Sequence, residues 1–102
     1  MRSPHEIKEV IETRLKNYLS RDRTGVRRAL LQIFLRLKCL TIAEIFEILA
    51  RKFSISYHSV AAMVGIIASK IGILQVTKKR EGFFSVYSLK ELYAGMVARI
   101  VS

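Results

Sequence analysis

A chain of 102 residues has length for one domain and little more, because a core becomes comfortable at about 100 to 150 residues. Its 18 Lys and Arg against 8 Asp and Glu leave a formal charge of +10 beside 51% hydrophobic residues, which excludes a disordered chain and points to a polyanionic partner, nucleic acid first. The longest weakly polar run, Val60 to Ala68, falls far short of the roughly 20 residues that span a bilayer, and the first twenty residues mix charge with apolar side chains as no secretory signal does, so a cytoplasmic protein is expected.

Ser3-Pro4-His5-Glu6 combines a capping serine, a proline at the first helical position and a glutamate three residues after the cap. It opens a helix over about 3–20, with Ile7, Val10, Ile11, Leu15, Tyr18 and Leu19 as its buried stripe and Lys8, Glu12 and Lys16 as a charged outer row. A polar joint from Ser20 to Gly25 leads to a second helix that carries Val26, Leu30, Ile33, Phe34 and Leu37 on one face and closes on Arg36 and Lys38, which suit its negative end. Cys39 is the only cysteine, and His5 and His58 are the only histidines, so neither a disulfide nor a zinc ligand set fits within one chain. No cofactor is expected, and Cys39 reads as a small core hydrophobe.

Thr41-Ile42-Ala43-Glu44 repeats the capping box and starts a third helix of about a dozen residues, with Ile42, Ile45, Leu49 and Phe53 along one face. Ser54-Ile55-Ser56 interrupts the pattern, and Val60, Val64, Ile67 and Ile71 then mark the buried stripe of a fourth helix ended by Gly72. Two helices on so short a joint make a helix-turn-helix. From Ile73 the period becomes two: Leu74 and Val76 alternate with Gln75 and Thr77, and Phe84 and Val86 with Ser85 and Tyr87, a β-hairpin with a basic tip at Lys78 to Gly82. A last capping box, Ser88-Leu89-Lys90-Glu91, opens a helix whose stripe is Leu89, Leu92, Tyr93, Met96 and Ile100.

The expected fold is mainly α with a small β-hairpin: helix, helix, helix-turn-helix, hairpin, helix. That order resembles a winged helix-turn-helix DNA-binding domain from about Thr24 to the C-terminus, which makes the chain one winged-helix domain over 1–102 with an additional N-terminal helix. The Arg23-Thr24-Gly25-Val26-Arg27-Arg28 segment is also similar to members of a small archaeal winged-helix family with no assigned function. In the wider class the second helix of the motif enters the major groove and the hairpin touches the backbone or minor groove beside it, which the resemblance places at residues 57–71 and 78–82.

Projected at 100° per residue, the fourth helix sets His58, Ser59, Ala62, Gly65, Ile66 and Ser69 away from the buried stripe. Only His58, Ser59 and Ser69 are polar there, whereas base edges are read by Arg, Lys, Asn and Gln, so strong base-specific readout is not expected. Ala62 and Gly65 permit close approach and Ile66 suits a thymine methyl, yet the same surface suits packing on another protein chain, and both uses stay open. Arg21, Arg23, Arg27 and Arg28 crowd the start of the second helix, where the macrodipole disfavours cations, so they read as contacts to backbone phosphate. Lys78, Lys79 and Arg80 at the hairpin tip reach phosphate without base information, although lysines there also guard the strand edge. Arg51, Lys52 and Lys70 are weaker flanking candidates, since cations near helix C-termini need no functional reason.

Glu44 and Glu47 are explained by capping and an exposed face before acid-base chemistry, and no phosphate loop, nucleophile elbow or metal-ligand pattern occurs, so a non-catalytic protein is expected. The leading function is a transcriptional regulator on double-stranded DNA, homodimeric through its first and last helices because their stripes exceed what one small core absorbs. The alternative is a winged-helix interaction module of a larger assembly. RNA binding finds little support, since Phe83 and Tyr87 are equally accounted for by packing. No small-molecule ligand and no membrane partner is evident.

Overall fold

Ser3 starts the first helix as expected: its hydroxyl accepts a hydrogen bond from the Glu6 N–H at 3.2 Å, and Pro4 occupies the first turn, where a missing donor costs nothing. The computed structural model describes residues 3–78 and 85–102. Within them run helices α1 (Pro4–Ser20), α2 (Val26–Arg36), α3 (Ile42–Leu49), α4 (Tyr57–Ile66, continued by a π-helical turn Ile67–Ile71) and α5 (Glu91–Val101), with strands β1 (Cys39–Leu40), β2 (Leu74–Lys78) and β3 (Ser85–Leu89). No helix among the described residues is long and apolar enough to cross a membrane.

One apolar core collects a stripe from every helix. Leu15 of α1, Leu30, Leu31 and Phe34 of α2, Ile45 and Leu49 of α3, Val60, Val64 and Ile67 of α4 and its π turn, and Val97 of α5 are all essentially fully buried. Val60, Val64, Ile67 and Ile71, the stripe read from periodicity, are buried to the last member. Burial at roughly 25 cal/mol per Å² of apolar surface makes this stripe the anchor that fixes which way α4 faces. The π turn follows from local chemistry: the Ser69 hydroxyl donates to the Gly65 carbonyl at 2.6 Å, a back-bond that loosens a helix at its least favoured residue. The ladder then slips by one, with the Gly72 N–H donating to the Ile67 carbonyl at 2.9 Å. Gly72 stops the helix at φ 86, a left-handed conformation that a side chain would disfavour.

The sheet has three antiparallel strands in the order β1-β3-β2. The hairpin pairs Leu74 with Leu89, Val76 with Tyr87 and Lys78 with Ser85, and the two-residue β1 joins the other edge of β3 through Cys39–Ser88 and Leu40–Tyr87. Periodicity cannot reveal a strand that short, and its presence corrects two expectations. Cys39 is exposed and is no core residue, because alternation across β1 turns Leu40 inward and Cys39 outward. Ser88 does not cap α5 either: it lies in the central strand, its hydroxyl accepts from the Gln75 side-chain amide at 3.2 Å, and β3 continues to Leu89. Pairing on both sides outweighs a single cap worth about 1 kcal/mol. The Lys90 N–H instead donates to the Ile73 carbonyl at 2.8 Å, and α5 begins at Glu91 with no side-chain cap. The helix starts two residues later than expected, and its buried stripe is Tyr93, Met96, Val97 and Val101, leaving Leu92 65% exposed. Leu37 is exposed as well, because α2 ends at Arg36, and α3 stops at Leu49 after eight residues, so Phe53 packs from the following turn.

Glu12 ties α1 to α5. Its carboxylate accepts from Arg99 Nη2 at 2.8 Å and pairs with Lys16 Nζ at 3.0 Å, and Arg99 first and Lys16 second hold this carboxyl below its ordinary pKa. A depressed pKa stabilises the fold above the ordinary carboxylate range and is lost as pH falls through the depressed value. Glu12→Gln is therefore expected to lower stability slightly at neutral pH and not at all in strong acid. Phe34→Ala should cost about 3–5 kcal/mol and Thr41→Ala about 1 kcal/mol, in denaturant titrations followed by circular dichroism.

Candidate nucleic-acid interface

Ser56 opens α4: its hydroxyl accepts from the Ser59 N–H at 3.1 Å. With the stripe inward, His58, Ser59, Ala62, Gly65 and Ser69 are exposed and Ile66 half-buried, which is the face projected from the sequence. Two details refine it. The hydroxyls of Ser59 and Ser69 are already engaged, with Ser56 Oγ at 3.0 Å and with the Gly65 carbonyl respectively, leaving His58 as the polar group on this face with no described partner. Tyr57, which the periodicity did not single out, stands half exposed at the start of α4, its ring edge-on to Phe46 with centroids 5.8 Å apart. The sequence signal for it was an aromatic residue directly after a helix cap, a place where a large apolar ring is not needed for the core.

The arginine-rich joint before α2 is organised by one carboxylate. Gly25 precedes the helix at φ 87 and has no side chain to offer as a cap. Asp22 serves instead: Oδ1 accepts from the Arg27 N–H at 3.2 Å and Oδ2 from the Arg28 N–H at 3.1 Å. This carboxylate takes up amide donors that a phosphate would use at that terminus and offsets the unfavourable placing of the arginines. The side chains themselves divide. Arg27 donates to the Tyr18 carbonyl at 2.8 Å and lies over the Tyr18 ring, 4.2 Å from its centroid, and Arg28 donates to the Ile100 carbonyl at 3.3 Å. Arg21 and Arg23 are exposed with no described side-chain partner.

Two of these cations sit beside the fourth helix, whereas Arg28 lines another cleft with Arg99 and Ile100. Arg21 and Arg27 line one cleft with Ile66, Lys70 and Ile71, so the joint before α2 meets the C-terminal end of α4. Arg14 completes the contact from α1 by donating to the Lys70 carbonyl at 3.2 Å. Lys79 and Arg80 lie outside the described residues, as do Phe83 and the tip glycine, and Lys78 is described through its backbone as the end of β2. Arg51 and Lys52 are exposed beyond the end of α3 and line a different cleft from Lys70. Glu44 closes the capping box of α3 by accepting from the Thr41 N–H at 2.8 Å. Among the described residues no group of His, Cys, Asp and Glu is placed to hold a metal ion.

Residues 15–97 match the family described as a protein of unknown function, DUF2551, and the chain belongs to that family. An uncharacterized protein of Archaeoglobus fulgidus is 46% identical over 92 residues, 89% of this chain and 92% of that one. The fold is the winged helix of MarR: the crystal structure of a mutant MarR from E. coli superposes with a TM-score of 0.64 at 18% identity, over 94% of this chain and 68% of that chain. The same mutant complexed with operator DNA superposes at 0.63, again at 18% identity, over 94% and 66%. The expected fold and the expected kinship with an archaeal family of unassigned function both hold.

The double cap by Asp22 has a measurable consequence. Asp22→Ala should lose about 0.5–2 kcal/mol of stability, whereas Asp22→Asn, which keeps one acceptor oxygen, should lose less. A loss near zero for Asp22→Ala, read by thermal and chemical denaturation, would show that the cap contributes nothing.

Proposed function

We propose that this protein is a non-catalytic, DNA-binding transcriptional regulator, one winged-helix domain with an additional N-terminal helix, which lays the exposed face of α4 into the major groove of double-stranded DNA. The observation that carries this reading is the meeting of cations from three segments, Arg14, Arg21, Arg27 and Lys70, at the end of the helix whose outer face is uncovered. A groove-binding helix needs phosphate contacts at its flanks to fix its register, and those contacts supply most of the affinity. Arg21, Arg23 and Lys70, together with Lys78, Lys79 and Arg80 of the expected hairpin tip, are the proposed phosphate contacts. Arg27 keeps further N–H donors beside the one that holds the Tyr18 carbonyl, whereas Arg28 holds the Ile100 carbonyl at a different cleft and contributes less.

His58, Ser59, Ala62 and Ser69 are the proposed groove-facing residues, to which Tyr57 is added. That MarR, which shares the fold, is known in complex with operator DNA supports the reading. So does the distribution of the acids, several of which serve helix termini or helix-to-helix ties and leave the cationic surface uncompensated. Pairing of two copies through α1 and α5 would cover Ile7 and Leu92, which are 42% and 65% exposed.

A second reading rests on a specific observation: from Tyr57 to Ser69 there is no Lys or Arg, so the face is suited to an apolar contact in a protein assembly. Charge separates the two. With about five phosphate contacts, log K for a duplex should fall against log salt with a slope near −0.9 per contact, and reversing Lys78, Lys79 and Arg80 to Glu should weaken binding on every sequence. A duplex titration showing no binding at low salt removes the regulator, and a protein contact made through α4 would survive the reversal.

A further inference from the structure

We propose that the cleft between α1, the start of α2 and the π-helical turn is a binding site for a phosphoryl anion, held by Arg14, Arg21, Arg27 and Lys70. It encloses about 510 Å³. Four cations line it and no acid does, although the chain carries 8 carboxylates. Asp22, next to Arg21 in the chain, is turned to the amides of Arg27 and Arg28, and Glu9, which adjoins Arg14 outside the cleft, pairs with His5. The ion pairs among the described residues, His5–Glu9, Lys16–Glu12 and Arg99–Glu12, involve none of the four. Like charges gathered around a partly desolvated space repel one another, and the arrangement gains most from a ligand of high negative charge density.

The donor geometry selects for oxygen-rich anions over halide. Arg14 and Arg27 are each anchored by one guanidinium nitrogen to a backbone carbonyl, Lys70 and Tyr18 respectively, which immobilises the group and leaves its remaining N–H donors available for a fork onto phosphate oxygens. Asn17 adds an amide to the wall. Tyr18 lines the same cleft, and its hydroxyl is buried with no hydrogen-bond partner among the described residues. The π turn supplies the third wall, and such turns are frequent at functional positions; the Lys70 carbonyl, one of those left unpaired at a helix end, takes the Arg14 guanidinium. An anion in this cleft would bridge α1 to the end of α4 and so stiffen the helix that the proposed function sets into DNA.

Phosphoryl oxygen has two sources here, a duplex backbone and a free phosphorylated small molecule, and the first of these rests on the DNA-binding reading. The test uses sodium pyrophosphate as probe, at constant ionic strength set with sodium chloride, followed by the amide NMR shifts of the full chain. Saturable shifts confined to residues around the cleft are expected, weakened at least about tenfold by Arg21→Gln and by Lys70→Gln and unchanged by Arg51→Gln, which removes the same charge elsewhere. Neither Arg21 nor Lys70 is buried, so these variants fold, and thermal melts of each confirm it. Non-saturable shifts, or equal weakening by Arg51→Gln, overturn the site. Anisotropy on a random-sequence duplex then identifies the source: competition by pyrophosphate together with loss in both cleft variants assigns the backbone. Pyrophosphate binding with duplex affinity unmoved by those variants assigns a free anion. If no duplex binds at all while pyrophosphate saturates, the cleft stands and the regulator reading falls.

Discussion

Everything that makes this surface usable follows from the burial of one stripe. Val60, Val64, Ile67 and Ile71 anchor α4 and its π turn on the core, and because their spacing follows the helical period, the residues between them have no freedom to choose a side. His58, Ala62, Gly65 and Ser69 face outward for the same reason that Val64 faces inward. A change that disturbed the stripe would lose stability and surface together. A change on the outer face would leave the fold intact.

Electrostatics supplies the second layer, and it works by subtraction. Glu6, Glu44 and Glu91 lie in the first turns of α1, α3 and α5, where the helix dipole favours them, and Asp22 does the same duty for α2 from outside the helix. Glu12 ties α1 to α5. These five acids are thereby committed to holding the fold, and the excess of cations appears on the surface as field. An exposed ion pair contributes little to stability, which makes it more informative that Asp22 and Glu12 are each used twice.

Much of this was legible in the sequence wherever a local rule had no competitor. Ser3 and Thr41 each cap as a serine or threonine ahead of an apolar period should, and the stripe of α4 and the hairpin strands followed from period alone. Several misses share one cause, a strand of two residues that no periodicity can announce. Once Cys39 and Leu40 join β3, Ser88 belongs to a central strand, α5 starts at Glu91, and its stripe turns from Leu92 and Ile100 toward Val97 and Val101. Cys39 was misread for the same reason, since its preference for burial lost to the alternation of the strand. The arginine joint was only half legible: its phosphate-seeking composition was plain, but the carboxylate that caps the helix is Asp22, placed five and six residues ahead of the amides it serves, outside any capping-box spacing.

The cleft at the end of α4 could not have been found along the chain, because Arg14, Arg21, Arg27 and Lys70 come from three segments that only the core brings together. Its location bears on why the outer face of α4 can do with so little polar chemistry. Direct readout needs long side chains on the helix, and a helix with Ala62 and Gly65 at its centre has none to offer there. Small residues instead let the backbone lie close, which places the demand for affinity on cations at the flanks. Holding those cations by anchoring arginines to carbonyls at the helix end reduces the rotamer entropy lost when an anion arrives. The Arg14 bond to the Lys70 carbonyl also ties α1 to the end of α4, and under the proposed reading an anion in the cleft would act on the angle at which the exposed face is presented.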